Sequence, residues 1–139
     1  MKLRKEVQAV IFAKESFLLI KKYDAALNGF HWRLVKGGIE KGESETNALR
    51  REISEEVGLK NIELVDKIYN YMYTFRDIKN KVSVYLVNAD LNEKVKLSEE
   101  AIIDFVWENS ETAIKKLKWE EERNALKTAL RKIRAQELM

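Results

Sequence analysis

Residues 37–59, GGIEKGESETNALRREISEEVGL, hold four of the five glycines in this 139-residue chain and its most crowded acidic cluster. Between the bracketing glycines, Ser44 to Val57 contains neither Pro nor Gly, so a helix is expected there. Ser44 is the natural N-cap, and Gly58 the left-handed residue that ends it. At about 100° per residue, Leu49, Ile53 and Val57 fall on one apolar stripe, the pattern of a helix laid on a core. Glu52, Glu55 and Glu56 fall on the adjoining arc, facing the negative end of the helix dipole. Glu52 and Glu56 are also a like-charge i, i+4 pair, and each such conflict costs roughly 0.3–0.5 kcal/mol on a surface. Local preferences broken repeatedly beside a buried stripe suggest a functional site, but three glutamates alone are more often a solvated acidic face, and the spacing of the whole stretch has to decide.

Convergent carboxylates offer hard, anionic oxygens, the ligand set that Mg²⁺ or Mn²⁺ prefers. Because Mg²⁺ keeps waters and substrate phosphates as ligands, an open acidic face suits a metal–diphosphate complex better than a structural ion. Cysteine is absent, which excludes a disulfide framework and any thiolate metal site. The 26 basic residues nearly balance 23 acidic ones, for a net charge of +3, and bulk nucleic-acid binding is not expected from so small an excess. No stretch has the roughly 18 apolar residues of a membrane span, and MKLRKEVQAV lacks a signal-peptide apolar region, so a cytoplasmic protein is expected.

The rest of the chain alternates strands and helices. Val7–Ala13 and Phe17–Lys21 form a hairpin about Lys14-Glu15-Ser16, followed by a loop over Tyr23–Phe30 and a short strand over His31–Val35. After the helix come an extended start at Ile62–Val65 and two long strands, Lys67–Arg76 and Lys81–Ala89, joined by residues 77–80. In the first, Tyr69, Tyr71, Tyr73 and Phe75 alternate with polar residues; one-sided aromatic alternation is sheet core or a nucleobase platform. Asp104–Trp107 is a last strand, Thr112–Leu117 a helical turn, and Trp119–Leu138 a long helix docking through Leu126, Ala129, Leu130 and Ile133. The order predicts a single α+β domain over residues 1–139 with a mixed sheet between helices.

Gly37, five residues, Glu43, seven residues, then Arg51-Glu52-Ile53-Ser54-Glu55-Glu56-Val57-Gly58-Leu59 resembles the signature of the Nudix hydrolases at every defined position. The resemblance implies an α/β/α sandwich and a Mg²⁺-dependent pyrophosphohydrolase (Mn²⁺ as substitute) acting on a nucleoside diphosphate linked to another moiety. It assigns Glu52, Glu55 and Glu56 as metal ligands, with the Gly37 carbonyl completing the sphere and Glu52 the usual general base. Arg51 and Glu43 are read as orienting the glutamates, and Glu100, or failing that Glu99, as a late-loop ligand or base. His31-Trp32 before Lys36-Gly37 resembles diadenosine tetraphosphate hydrolases, with Val35 where a proline is common. That points to a dinucleoside polyphosphate, with other nucleoside triphosphates or modified nucleotides next. His31, Lys36 and Lys81 are the phosphate candidates; Tyr73 and Tyr85 are the stacking candidates. Rival readings are removal of pyrophosphate from RNA 5′ ends and a module that binds nucleotides without hydrolysing them. A small-molecule nucleotide is the expected partner, and a homodimer is compatible with the sequence.

Overall fold

In the computed structural model, which describes residues 2–136, seven strands and three helices follow one another along the chain. They are β1 (Lys2–Ala13), β2 (Ser16–Asp24), β3 (Gly29–Arg33), β4 (Val35–Gly38), α1 (Glu45–Val57), β5 (Ile62–Phe75), β6 (Ile78–Ala89), β7 (Ile102–Glu108), α2 (Ser110–Lys116) and α3 (Glu120–Ala135). The sheet is mixed: β1 runs parallel to β6, and the other pairings are antiparallel.

β1 shows why helices are needed on both sides. Val7, Ala9 and Ile11 point into the cluster under α1, while Val10 and Phe12 point into the cluster under α2 and α3. A strand apolar on both faces must be covered on both. On α1, Leu49, Ile53 and Val57 are fully buried with Ala48; on α3, Leu126, Ala129 and Ile133 are fully buried and Leu130 packs partly buried at their edge. The α+β class and the layered arrangement are as expected.

β1 and β2 part soon after their turn. They pair only at Phe12↔Phe17 and Ala13↔Ser16, beyond which β4 takes the edge of β1 through Glu6–Ala9 and β2 turns to β3 and β7. The chain crosses this opening at Leu34, so the single strand expected over His31–Val35 is two strands. Gly37 and Gly38 lie within β4 rather than in a loop. Val35, buried against Ala9, occupies a ladder position that proline would weaken by removing its N–H. The loop expected over Tyr23–Phe30 shrinks to residues 25–28, because β2 extends to Asp24 and β3 begins at Gly29.

Two further boundaries differ. The extended start at residue 62 and the aromatic strand are one strand, β5, kept continuous by register shifts between Leu64 and Asp66 and between Lys67 and Tyr69. The link to β6 is only Arg76-Asp77, both left-handed (φ 49° and 62°), a turn that matches strand twist. The C-terminal helix is described to Ala135, and its expected end at Leu138 lies outside the described residues.

Candidate metal and substrate site

The carboxylates gather where β1 and β2 diverge. Ser44 caps α1 by accepting from the Asn47 N–H, and Gly58 ends it at φ 70°. Between those stops, the helix face beside the apolar stripe presents Glu52 and Glu56 inward, 8% and 1% exposed, and leaves Glu55 exposed. Gly37 of β4 meets Glu52 directly: a Cβ there would lie 1.9 Å from the Glu52 carboxyl carbon. Any side chain at residue 37 would fill the space the carboxylate occupies.

Arg51 ties the cluster together. Its guanidinium donates to both carboxylate oxygens of Glu43 (2.8 and 2.9 Å), to Glu52 (2.8 Å), to Glu55 (3.2 Å) and to the Gly38 carbonyl (2.9 Å). These bonds raise its proton affinity and hold Glu43, which also accepts from the Glu40 N–H, down to about 2. Arg51 and Glu43 therefore sit where they can orient Glu52.

Glu56 is the anomaly. Its Oε1 is buried without any hydrogen-bond partner among the described residues, and Lys22 of β2 stands 3.6 Å from its Oε2. Burial pushes its carboxyl up to about 8, against the pull of Lys22 and aided by Glu52 and Glu99. A desolvated carboxylate beside a second carboxylate, with one oxygen unanswered, fits a divalent cation as its missing partner. Among the described residues, no three Asp, Glu or His side chains are drawn close enough together to hold a metal ion by themselves. Of the three carboxylates on this helix face, Glu52 and Glu56 point inward and Glu55 outward.

The late loop corrects one expectation. Its backbone docks on the end of α1 through Lys96 N–H to Val57 O and Ser98 Oγ to Glu55 O. That seating turns Glu99 toward the cluster, half-buried, with its proton affinity raised by burial and by Glu52 and Glu55. Glu100 is exposed, in the turn that follows. The acid brought to the site is Glu99.

The substrate candidates are scattered. Lys36 lies on the sheet face opposite Gly37, its ammonium donating to Tyr73 Oη at 2.9 Å and 3.9 Å from Glu6, and burial lowers its proton affinity. Tyr73 is half-buried there and donates to Glu6. Tyr85 does not qualify as a stacking surface: it is 9% exposed, packed under α1, with its hydroxyl on Glu45. Lys81 is exposed on the α1 side of β6, beside Lys5 and Met72 in register. His31 pairs with Lys22 across β2–β3 and meets the edge of Trp119 at 5.4 Å.

Several neighbours were missed in the sequence. Lys22 continues the Leu18, Ile20 alternation, so a charge at an inward position was its signal. Glu122 lies four residues before Leu126 on the buried stripe of α3, and Glu6 and Gln8 share the face of Val10 and Phe12. Glu122 accepts from Gln8, from Arg33 and from the Leu34 N–H, and Arg33 stacks on Trp119 at 3.8 Å.

Comparison with known proteins agrees with this geometry. A profile of the NUDIX domain matches residues 2–130. The chain belongs to the Nudix hydrolase family. Family members generally use divalent metals and act on small nucleotide substrates. An RNA pyrophosphohydrolase of a Nitratiruptor species is 39% identical over 75 residues, 52% of this chain and 48% of that protein. The matches span about half or less of the length of the curated relatives. Among solved structures, a C. elegans Ap4A hydrolase binary complex superposes with a TM-score of 0.84 at 24% identity, covering 95% of this chain and 98% of the other. The E. coli ORF135 protein superposes at 0.79 with 20% identity, covering 98% and 94%. These likenesses carry the fold. No helix among the described residues is long and apolar enough to cross a membrane.

Proposed function

We propose that this chain is a Mg²⁺-dependent pyrophosphohydrolase that cleaves a phosphoanhydride bond in a nucleoside diphosphate linked to another moiety. The observation that carries this reading is Glu56, a buried carboxylate with an oxygen left unanswered beside Glu52. Glu52, Glu55, Glu56 and the Gly37 carbonyl would hold the metal. Bound there, Mg²⁺ or Mn²⁺ would neutralise phosphate charge, polarise phosphorus and lower the pKa of an attacking water. Arg51, donating to Glu52, keeps that carboxylate aimed. Glu99 and Glu52 are the side chains assigned to take the proton of the water. Lys36 with Tyr73, and His31 with Trp119, are the candidate phosphate and nucleobase contacts; Trp119 replaces Tyr85 as the stacking surface. The favoured substrate is a dinucleoside polyphosphate such as diadenosine tetraphosphate, the choice supported by the His31-Trp32 and Lys36-Gly37 segment and consistent with the fold likeness to an Ap4A hydrolase.

A second reading is pyrophosphate removal from RNA 5′ ends, which gains support from the RNA pyrophosphohydrolases among the sequence relatives. A non-hydrolysing binding module has little support, since such a module gains nothing from an uncompensated buried carboxylate. Incubating the protein and its Glu56→Gln variant with Mg²⁺ and a panel of dinucleoside polyphosphates, nucleoside triphosphates, nucleotide sugars and 5′-triphosphorylated RNA, with products identified by mass, tests all three. Intact substrates throughout, with nucleotide still bound, would favour the module.

A further inference from the structure

The near-balanced charge of the chain conceals a segregated basic surface. β1 and β6 run parallel with Leu3 opposite Lys79 and Lys5 opposite Lys81, and β5 sets Thr74 beside Lys79 and Met72 beside Lys81. Residues in register share a face, and this is the face that α1 covers further along, where Val7 is buried beneath it. Beyond the start of α1 the face has no cover: Lys5, Lys79 and Lys81 are exposed, as are Leu3 (51%) and Met72 (46%). Lys41, in the turn before α1, adds a further exposed cation. None of Lys5, Lys41, Lys79 and Lys81 makes an ion pair or a side-chain hydrogen bond among the described residues.

This face is continuous with the carboxylate cluster. Val7 is the register partner of Gly37, on which Glu52 rests, and Lys5 lies two residues further along β1, about 7 Å away. A groove along the open edge of β1 is lined by Lys2, Arg4, Lys5 and Lys41; the acids that line it, Glu40 and Glu43, are both turned to Arg51 at 3.8 and 2.8 Å. Arg4 lies over Gly38 on the other face of the strand, 3.9 Å from Glu6, and is not one of the cations of this face.

We infer that this lysine face docks the single-stranded body of an RNA whose 5′ end lies at the carboxylate cluster. The inference rests on the second reading above. Unpartnered lysines spread over an uncovered sheet face, two of them also lining the adjoining groove, can neutralise successive phosphodiesters, and exposed Leu3 and Met72 give unstacked bases an apolar bed. A dinucleoside polyphosphate is too short to use such a surface, so the lysines would separate long substrates from short ones. The rival explanation is that they only keep an uncovered sheet face from pairing with other chains.

The test uses the full chain and a Lys5→Ala/Lys41→Ala/Lys79→Ala variant, with thermal melts of both to establish folding. Binding of a 3′-fluorescein single-stranded RNA of about 12 nucleotides is read by anisotropy across a salt series, on the Glu56→Gln background. The triple variant is expected to bind roughly tenfold or more weaker and to lose about two units of the log–log salt slope. In the parent background, release of pyrophosphate from the same RNA bearing a 5′-triphosphate should fall about tenfold, while a triphosphorylated dinucleotide and diadenosine tetraphosphate change less than about twofold. Equal losses on long and short substrates, or RNA binding indifferent to the lysines, would overturn the inference. If no triphosphorylated RNA is hydrolysed yet lysine-dependent RNA binding persists, the hydrolytic reading falls and the docking surface stands. Charge reversal at Lys5 and Lys79 to Glu should deepen the binding loss, and an unchanged affinity would count against the surface.

Discussion

Glu56 on α1 and Glu122 on α3 are each 1% exposed, on opposite sides of one sheet, yet the molecule treats them differently. Glu122 is answered on both oxygens: Arg33 Nε donates at 2.7 Å to one, and Gln8 Nε2 and the Leu34 N–H at 2.9 Å to the other. Tyr71 donates to Gln8, and Arg33 stacks on Trp119, so the network ends on satisfied partners. Glu56 has a lysine at 3.6 Å and one oxygen with no partner. A buried charge that the fold has fully paired locks strands to a helix. One left partly unanswered has an oxygen free to take a ligand, and the two cases are told apart by hydrogen bonds rather than by burial.

The sharpest break of that comparison is in activity. Glu56→Gln should lower turnover by about 10²–10⁴-fold while the thermal melt of the metal-free protein near neutral pH stays level or rises, because a neutral amide replaces a carboxyl that burial already disfavours as an anion. Near-normal turnover with Mg²⁺ would take Glu56 out of the site. In the opposite sense, Glu122→Ala should destabilise by about 3–5 kcal/mol in urea unfolding, since it strands Arg33, Gln8 and an amide N–H. A loss below about 1 kcal/mol would mean that network is not structural.

Gly37→Ala and Gly38→Ala make a finer pair. A Cβ at residue 37 would meet the Glu52 carboxyl at 1.9 Å, whereas one at residue 38 meets the flexible end of Arg4 at 2.7 Å. Displacing Glu52 should reduce activity about 10–100-fold, and the Gly38 variant should stay within a few-fold. Similar kinetics for both variants would show that Glu52 can move without consequence. Glu99→Gln should slow the reaction about tenfold or more and Glu100→Gln leave it nearly unchanged, the reverse outcome restoring Glu100 as the late-loop acid.

The smallest effect is on pH-dependent stability. With the Glu56 carboxyl raised from 4.5 to about 8 in the folded metal-free protein, the folded state binds more protons than the unfolded one between those values. Its stability should therefore fall as pH rises from about 4.5 to 8, and Glu56→Gln should flatten the slope. A melt that rises over that interval in metal-free buffer would show that Lys22 compensates the charge.

The 37–59 stretch by itself determined the helix, its caps and the kind of chemistry, because capping, helical periodicity and repelling carboxylates are all local. Layering was legible too, since β1 is apolar at both parities and two helices carry buried stripes. The tertiary structure decided which glutamates face inward, that Glu99 and not Glu100 reaches them, and that Lys22 stands against Glu56. Those depend on where β1 and β2 part and how a distant loop seats on the end of α1. It also removed Tyr85 from the substrate candidates by burying it under the same helix. The lysine face illustrates the limit most plainly. Lys5 lies more than seventy residues from Lys79 and Lys81 along the chain, and only the parallel register of β1 with β6 gathers them onto one surface.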